Sequence, residues 1–207
     1  MKKQVIGFVL VVVCLHATSC SKDPAMEWIE RGNAKYGLKD FQGAIADYDS
    51  AIALKPDLVG AYGNRGNAKF ALKDLQGAIA DYNKTIMLEP DLAGNYDNRG
   101  NAKAALGDLQ GAIADYNKAI ELEPDNAAVH ADAYYNRGVT KWQFNDFLGA
   151  LDDYTKALEL RPSFGDVYNN RGTLYLFLGQ KDKARADYLK ARELGCIVPQ
   201  KALDRCN

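Results

Sequence analysis

The side chains best suited to covalent or acid–base chemistry are few and scattered in this chain. Cysteines stand at Cys14, Cys20, Cys196 and Cys206, and the two histidines are His16 and His130. A nucleophile needs a base beside it, and a metal ion needs several convergent ligands. No C-x-x-C, H-E-x-x-H, G-x-S-x-G or Walker loop supplies such a grouping. Carboxylates are plentiful, at 27 Asp and Glu, but they recur at a fixed period that suits solvated faces and ion pairs better than a catalytic dyad. We therefore expect no catalytic residue, no metal site and no cofactor. Apart from Lys2-Lys3, the 26 Lys and Arg occur singly rather than in runs, so no phosphate-neutralising patch points to a nucleic acid.

One cysteine sits where it can be modified. Met1-Lys2-Lys3 is a short cationic start, followed by an apolar run from Val5 to Leu15. As a helix that run rises roughly 16 Å, about half a bilayer's hydrocarbon core, which makes it a signal-peptide core and not a span. Ala17-Thr18-Ser19 then leads to Cys20. The stretch resembles the lipobox of bacterial lipoproteins, although Ala17 stands where Leu is usual, and it also fits an ordinary signal-peptidase site. The resemblance implies a signal peptide over 1–19, diacylglycerol on Cys20 and a tether over 20–24. Ser21 after the Cys resembles outer-membrane sorting. The processed chain loses two lysines and no acid, giving 24 − 27, or −3.

What organises the remainder is a period. Asn-Arg-Gly occurs at Asn64, Asn98, Asn136 and Asn170, with Glu30-Arg31-Gly32 as a first variant, and the glycines are spaced by 34, 34, 38 and 34 residues. Residues 59–92 and 93–126 match at 26 of 34 positions. Within a unit the apolar spacing is helical. Leu109, Ala112, Ile113, Tyr116, Ala119 and Ile120 predict a helix over 109–122, and Tyr96, Ala102 and Leu106 one around 95–106. Leu106-Gly107-Asp108 supplies the break and an N-cap, and Pro124 the exit. Neither helix can bury its stripe alone, so the units must stack.

At this point the units resemble tetratricopeptide repeats (TPRs). Counted from 1 in each unit, position 4 is Trp28, Tyr62, Tyr96, Tyr134 and Tyr168, position 20 is always Ala, and position 24 is Tyr48, Tyr82, Tyr116, Tyr154 and Tyr188. The resemblance implies an all-α, right-handed α-solenoid of five units over 25–58, 59–92, 93–126, 131–164 and 165–194. Four extra residues, 127–130, amount to about 1.1 helical turns and would either lengthen the first helix of repeat 4 or enlarge a loop. The position-24 tyrosines read as core. A polar pair also repeats five times, Arg at position 7 with Asp at position 23 (Arg99 with Asp115, for example), and predicts a ladder of partly buried ion pairs.

By the same resemblance, the first helix of each unit lines a groove that takes an extended peptide or a partner helix. Asn64, Asn98, Asn136 and Asn170 at position 6, with Asn67 and Asn101 at position 9, suit holding a ligand's main chain; bonding to neighbouring side chains is the other reading. Repeats 2 and 3 line the groove with small residues, whereas repeats 4 and 5 place Tyr135, Trp142 and Phe177 there, an apolar floor fit to anchor a partner segment. Positions 2 and 5 hold no cation, which argues against a clamp for a C-terminal carboxylate. Residues 195–207 form a cap, with a short helix from Pro199. There Cys196 and Cys206 could form a disulfide or remain buried thiols.

The expected function is a non-catalytic protein-interaction scaffold, lipid-anchored in the cell envelope, with a protein or peptide partner. Two other readings are an accessory regulator of an envelope protease or cell-wall hydrolase, and glycan binding through the Asn and aromatic side chains.

Overall fold

A computed structural model of the protein describes residues 23–122 and 127–206, with the side chains of 127–129 excepted. Cys20 and the whole leader lie outside the described residues. Eleven α-helices follow one another in the described residues: α1 (Pro24–Gly37), α2 (Phe41–Leu54), α3 (Val59–Ala71), α4 (Leu75–Leu88), α5 (Ala93–Leu106), α6 (Leu109–Leu122), α7 (Ala127–Gln143), α8 (Phe147–Leu160), α9 (Gly165–Phe177), α10 (Lys181–Glu193) and α11 (Gln200–Asp204). Odd- and even-numbered helices up to α10 pair off as the five repeats, and each even helix also packs on the next odd one.

The turn inside each repeat is written in its residues. Asp40, Asp74, Asp108 and Asp146 accept a hydrogen bond from the amide of the third residue of the following helix, at Gly43, Gly77, Gly111 and Gly149. Such a cap satisfies a donor that the helix leaves free, for about 1 kcal/mol. The chain reverses just before the cap through left-handed backbone at Lys39, Lys73, Gly107, Asn145 and Gly179. Gly107 is the one such residue in repeats 1 to 4 whose type makes that conformation free of strain. The helices foreseen over 109–122 and around 95–106 are α6 and α5. The extra residues of repeat 4 belong to a helix and not to a loop: α7 has 17 residues where the other four inner helices have 13 or 14.

Small residues decide how closely the two helices of a repeat approach. A Cβ at Gly32, Gly66, Gly100 or Gly138 would stand 2.5 to 2.8 Å from the ring of Tyr48, Tyr82, Tyr116 or Tyr154. The glycines therefore let each ring lie flat on the facing helix, and all five position-24 tyrosines are 2% exposed or less. They are core, as their period implied.

The ion-pair ladder is present, and it has more members than the two residues foreseen. Arg65, Arg99, Arg137 and Arg171 each grip Asp81, Asp115, Asp153 and Asp187 with two parallel bonds of 2.5 to 2.9 Å. Lys69, Lys103 and Lys141 add a second cation to the same carboxylates. The third guanidinium nitrogen reaches back to the preceding repeat, at Asp49, Asn83, Asn117 and Thr155. Arg31 has no described unit before it. It makes one longer bond of 3.3 Å to Asp47, with Lys35 on the other oxygen, and its side chain is 51% exposed against 18% for Arg65.

Candidate functional site: the inner face of the stack

Successive odd helices touch one another from α1 to α7, so α1, α3, α5, α7 and α9 form the inner face of the stack. Among the described residues, hollows open along it at three places that concern the expected site residues. The first, of about 280 Å³, is lined by Asn33, Tyr36, Tyr48, Asn64 and Asn67. The second, about 300 Å³, lies between α5 and α7 and includes Asn101, Tyr116, Tyr135, Asn136 and Val139. The third, about 440 Å³, is walled by Trp142, Leu176 and Phe177 and closed on its far side by Pro199, Ala202 and Arg205 of the C-terminal cap.

The asparagines line this face and at the same time hold it together. The hydroxyls of Tyr48, Tyr82 and Tyr116 donate to Asn33, Asn67 and Asn101 at 2.7 to 2.8 Å. Asn64 donates to Asn33 of the previous repeat, Asn136 to Asp97, and Asn170 to the Tyr135 hydroxyl. Bonding to neighbours, the second reading of these residues, therefore accounts for most of them, and it fixes the amides in place rather than removing them from the surface. Asn98 is half-buried on α5 and is outside the lining of the three hollows.

One rung of the tyrosine ladder is broken. Repeat 4 carries Val139 where Asn33, Asn67 and Asn101 stand in the first three, and the buried hydroxyl of Tyr154 has no hydrogen-bond partner. A buried hydroxyl left without a partner costs roughly 1–3 kcal/mol. Repeat 5 restores the rung with Thr173, which accepts from Tyr188 at 3.1 Å.

The three aromatics expected to form the floor are divided between two hollows, Tyr135 at the second and Trp142 and Phe177 at the third. Tyr135 packs between Tyr154 and Phe164, with ring centroids 6.2 and 5.1 Å away, and burial raises its phenol above the ordinary range. Trp142 has two roles: it packs against the core built from Tyr154, Val167 and Leu174, and it also walls the third hollow. Phe177 is 63% exposed, 5.0 Å from the Phe147 ring. An aromatic surface left this open favours contact with another apolar group.

A carboxylate that the pattern did not single out is Asp97. It accepts hydrogen bonds from Asn101 at 3.2 Å and from Asn136 at 3.2 and 3.3 Å. Burial pushes its carboxyl up to about 6, with the charge of Asp132 adding to the rise and the two amides opposing it. Its sequence signal is that it replaces Gly63 of the otherwise near-identical repeat 2, a difference that marks a change in the groove lining on a shared framework. Cys196 and Cys206 are free thiols and not a disulfide. The Sγ of Cys196 faces Asp166, and Cys206 is buried in the cap with its Sγ toward the Ala202 carbonyl. No group of three or more His, Cys, Asp or Glu among the described residues could hold a metal ion.

Comparisons with known proteins agree with this architecture. The family described as TPR repeat matches residues 32–73 and 100–143, and those described as tetratricopeptide repeat match 59–92, 131–164 and 153–186. Among solved structures, the chain is similar to a crystal structure of MamA, with 28% identity over 79% of this chain and 93% of that one, at a TM-score of 0.69. It shares its fold with YrrB, described as a TPR protein with an unusual peptide-binding site, at 20% identity, 83% and 86% coverage and a TM-score of 0.62. It also shares it with PilF of Pseudomonas aeruginosa, at 15% identity, 88% and 81% coverage and a TM-score of 0.79. No curated protein matches the chain. The repeat period, the paired helices and the family matches together place this chain in the tetratricopeptide repeat family.

Proposed function

We propose that this protein is a non-catalytic scaffold that captures a peptide or helix segment of a partner protein on its inner face, while Cys20 carries the lipid that anchors it in the cell envelope, at the outer membrane. The observation that carries the binding reading is the third hollow. Phe177 is exposed there beside the half-buried Trp142 and Leu176, which leaves apolar area open next to the core built from Tyr154, Val167 and Leu174. A large aromatic wall beside rigid amides is the composition of an interface hot spot. YrrB, with the same fold, is described as having a peptide-binding site, which supports the class of ligand. The anchoring reading rests on the leader sequence, with its short apolar core and the Cys20 that follows.

Crosslinking in intact envelopes, comparing the parent with Trp142→Ala, tests the capture. Partner bands should disappear in the variant while its helical circular dichroism is retained; bands of equal strength would refute the anchor role of Trp142. Radiolabelled palmitate should enter the parent and not Cys20→Ala, and a parent without label would exclude the lipid.

A further inference from the structure

Along α5, α7 and α9, the helices of the inner face between the second and third hollows, the charges left after the ladder is subtracted are acidic, while Arg205 of the cap lines the third hollow. On α5, α7 and α9 the cations near the seam are Arg99, Lys103, Arg137, Lys141 and Arg171, and each is held by a ladder aspartate. The acids on the same three helices are Asp97, Asp132 and Asp166, none of which belongs to the ladder. Asp132 is paired with Arg161, whose guanidinium lies 3.6 Å from the centroid of the Phe164 ring. Asp166 faces the Cys196 thiol. Asp97 has two neutral amides as its hydrogen-bond partners.

This carboxylate is placed deliberately by the local structure. The Tyr116 hydroxyl donates to Asn101, Asn101 donates to Asp97, and Asn136 donates to Asp97 from the opposite helix. Its position and orientation are therefore set before any ligand arrives, which reduces the ordering cost of binding. The second hollow is lined by the same two amides, Asn101 and Asn136, and by the ring of Tyr135; Asp97 is outside that lining and is joined to it through its hydrogen bonds to the two amides. Amide oxygens, a carboxylate and an aromatic face together suit an ammonium or guanidinium group. A metal cation is the poorer occupant, because three convergent metal-ligating side chains are absent among the described residues. An anionic segment at this point would meet the Asp97 carboxylate, which has no ion-pair partner, at a cost in like-charge repulsion.

We propose that the captured segment is basic: a lysine or arginine side chain seats on Asp97 between α5 and α7, and an apolar or aromatic residue of the same segment rests on the wall of Trp142 and Phe177. This rests on the groove-binding reading above and adds the chemistry of the ligand. It makes the surface the opposite in polarity of a clamp for acidic chain ends.

The test selects peptides without presupposing the answer. A random dodecapeptide library displayed on phage is panned against the full chain. The enriched peptide, and copies with its basic residue changed to Gln or Glu, are titrated by fluorescence anisotropy into the parent, Asp97→Asn and Trp142→Ala. The parent should enrich Lys- or Arg-bearing peptides and bind the Gln copy about tenfold more weakly, the Glu copy more weakly still. Asp97→Asn, which keeps the shape and can still accept from Asn101, should bind the basic and Gln copies within about twofold of each other. Enrichment of peptides lacking a basic residue, or discrimination undiminished in Asp97→Asn, overturns the proposal. If Trp142→Ala loses all binding while Asp97→Asn keeps its discrimination, the groove stands and the basic ligand falls. If no peptide is enriched at all, the groove reading falls and takes this one with it.

Discussion

Repeat 3 carries two aspartates whose situations are opposites. Asp115, on the seam between α5 and α6, is held by Arg99 through two bonds and by Lys103 on one oxygen, and it is 4% exposed. Asp97, on the inner face, is also largely enclosed but has only amides to answer it. The first arrangement recurs from unit to unit because every unit must close on itself and on its neighbour. The second occurs at position 5 of one unit, where the others have Ile29, Gly63, Tyr135 and Asn169. A carboxylate that is paired wherever the framework needs it, and unpaired where the framework does not, marks the difference between residues that build the stack and residues that use it.

The largest effect should come from the seam. Tyr116→Ala removes a buried ring from between two helices and should cost about 3–5 kcal/mol in urea melts; a loss under about 1 kcal/mol would mean that the ring is not what spaces the pair. Next, Asp115→Asn leaves two cations facing a neutral amide and should cost about 3 kcal/mol. Asp47→Asn in the first repeat should cost clearly less, because Arg31 is half in solvent and reaches its partner by a single bond. Equal losses at the two sites would break the contrast between interior and terminal rungs.

The inner-face carboxylate should behave with the opposite sign. Its folded value of about 6 lies above its ordinary value of 3.8, so the folded state binds more protons than the unfolded one between those values. Stability from this group is therefore fully present at low pH and is lost as pH rises from about 4 through about 6. Asp97→Asn should raise stability at pH 7.5 by roughly 1–2 kcal/mol, allowing for partial solvent screening, and the gain should vanish near pH 4. A loss of stability at pH 7.5 would show that Asp97 belongs to the framework after all. The smallest effect concerns the broken rung. Val139→Asn should give the Tyr154 hydroxyl a partner and stabilise by about 0.5–1 kcal/mol, the gain reduced by the lost apolar contact; an unchanged or lower melting temperature would count against that account.

Much of this was legible in the sequence, for a physical reason. Helix limits such as 109–122 follow from an apolar period, an aspartate cap and a glycine turn, all local signals that neighbouring repeats print again. The Arg–Asp pairing was legible because both partners lie inside one unit, 16 residues apart. The reach of Arg99 back to Asn83 went unread because it depends on where two units meet in space. The lysine on the second oxygen lies within the same unit as its aspartate, but a long flexible side chain four residues after the arginine has no single partner dictated by spacing. The site was less legible than the fold. Position 9 asparagines can point to a ligand or to a tyrosine hydroxyl, and composition cannot choose between the two; the structure gives them to Tyr48, Tyr82 and Tyr116. Asp97 stands out in the sequence only as a lining difference from Gly63, and a single acid at a variable position carries no periodic signal that would give it a role. The cap residues walling the third hollow come from outside the repeats, where no period exists to read.

The backward reach of each arginine gives the stack a polarity. Every guanidinium from Arg65 to Arg171 stitches its own unit to the one before it, while among the described residues Arg31 has no preceding unit to reach, and the opposite end is covered by α11. Unravelling should thus start at the leading unit and run inward, like a zip opened from one end. Deuterium should enter α1 and α2 first and α7 to α9 last. The aromatic wall would then keep its shape on a molecule whose other end has already begun to breathe, so that strain applied near residue 23 is absorbed before it reaches the hollow at Trp142.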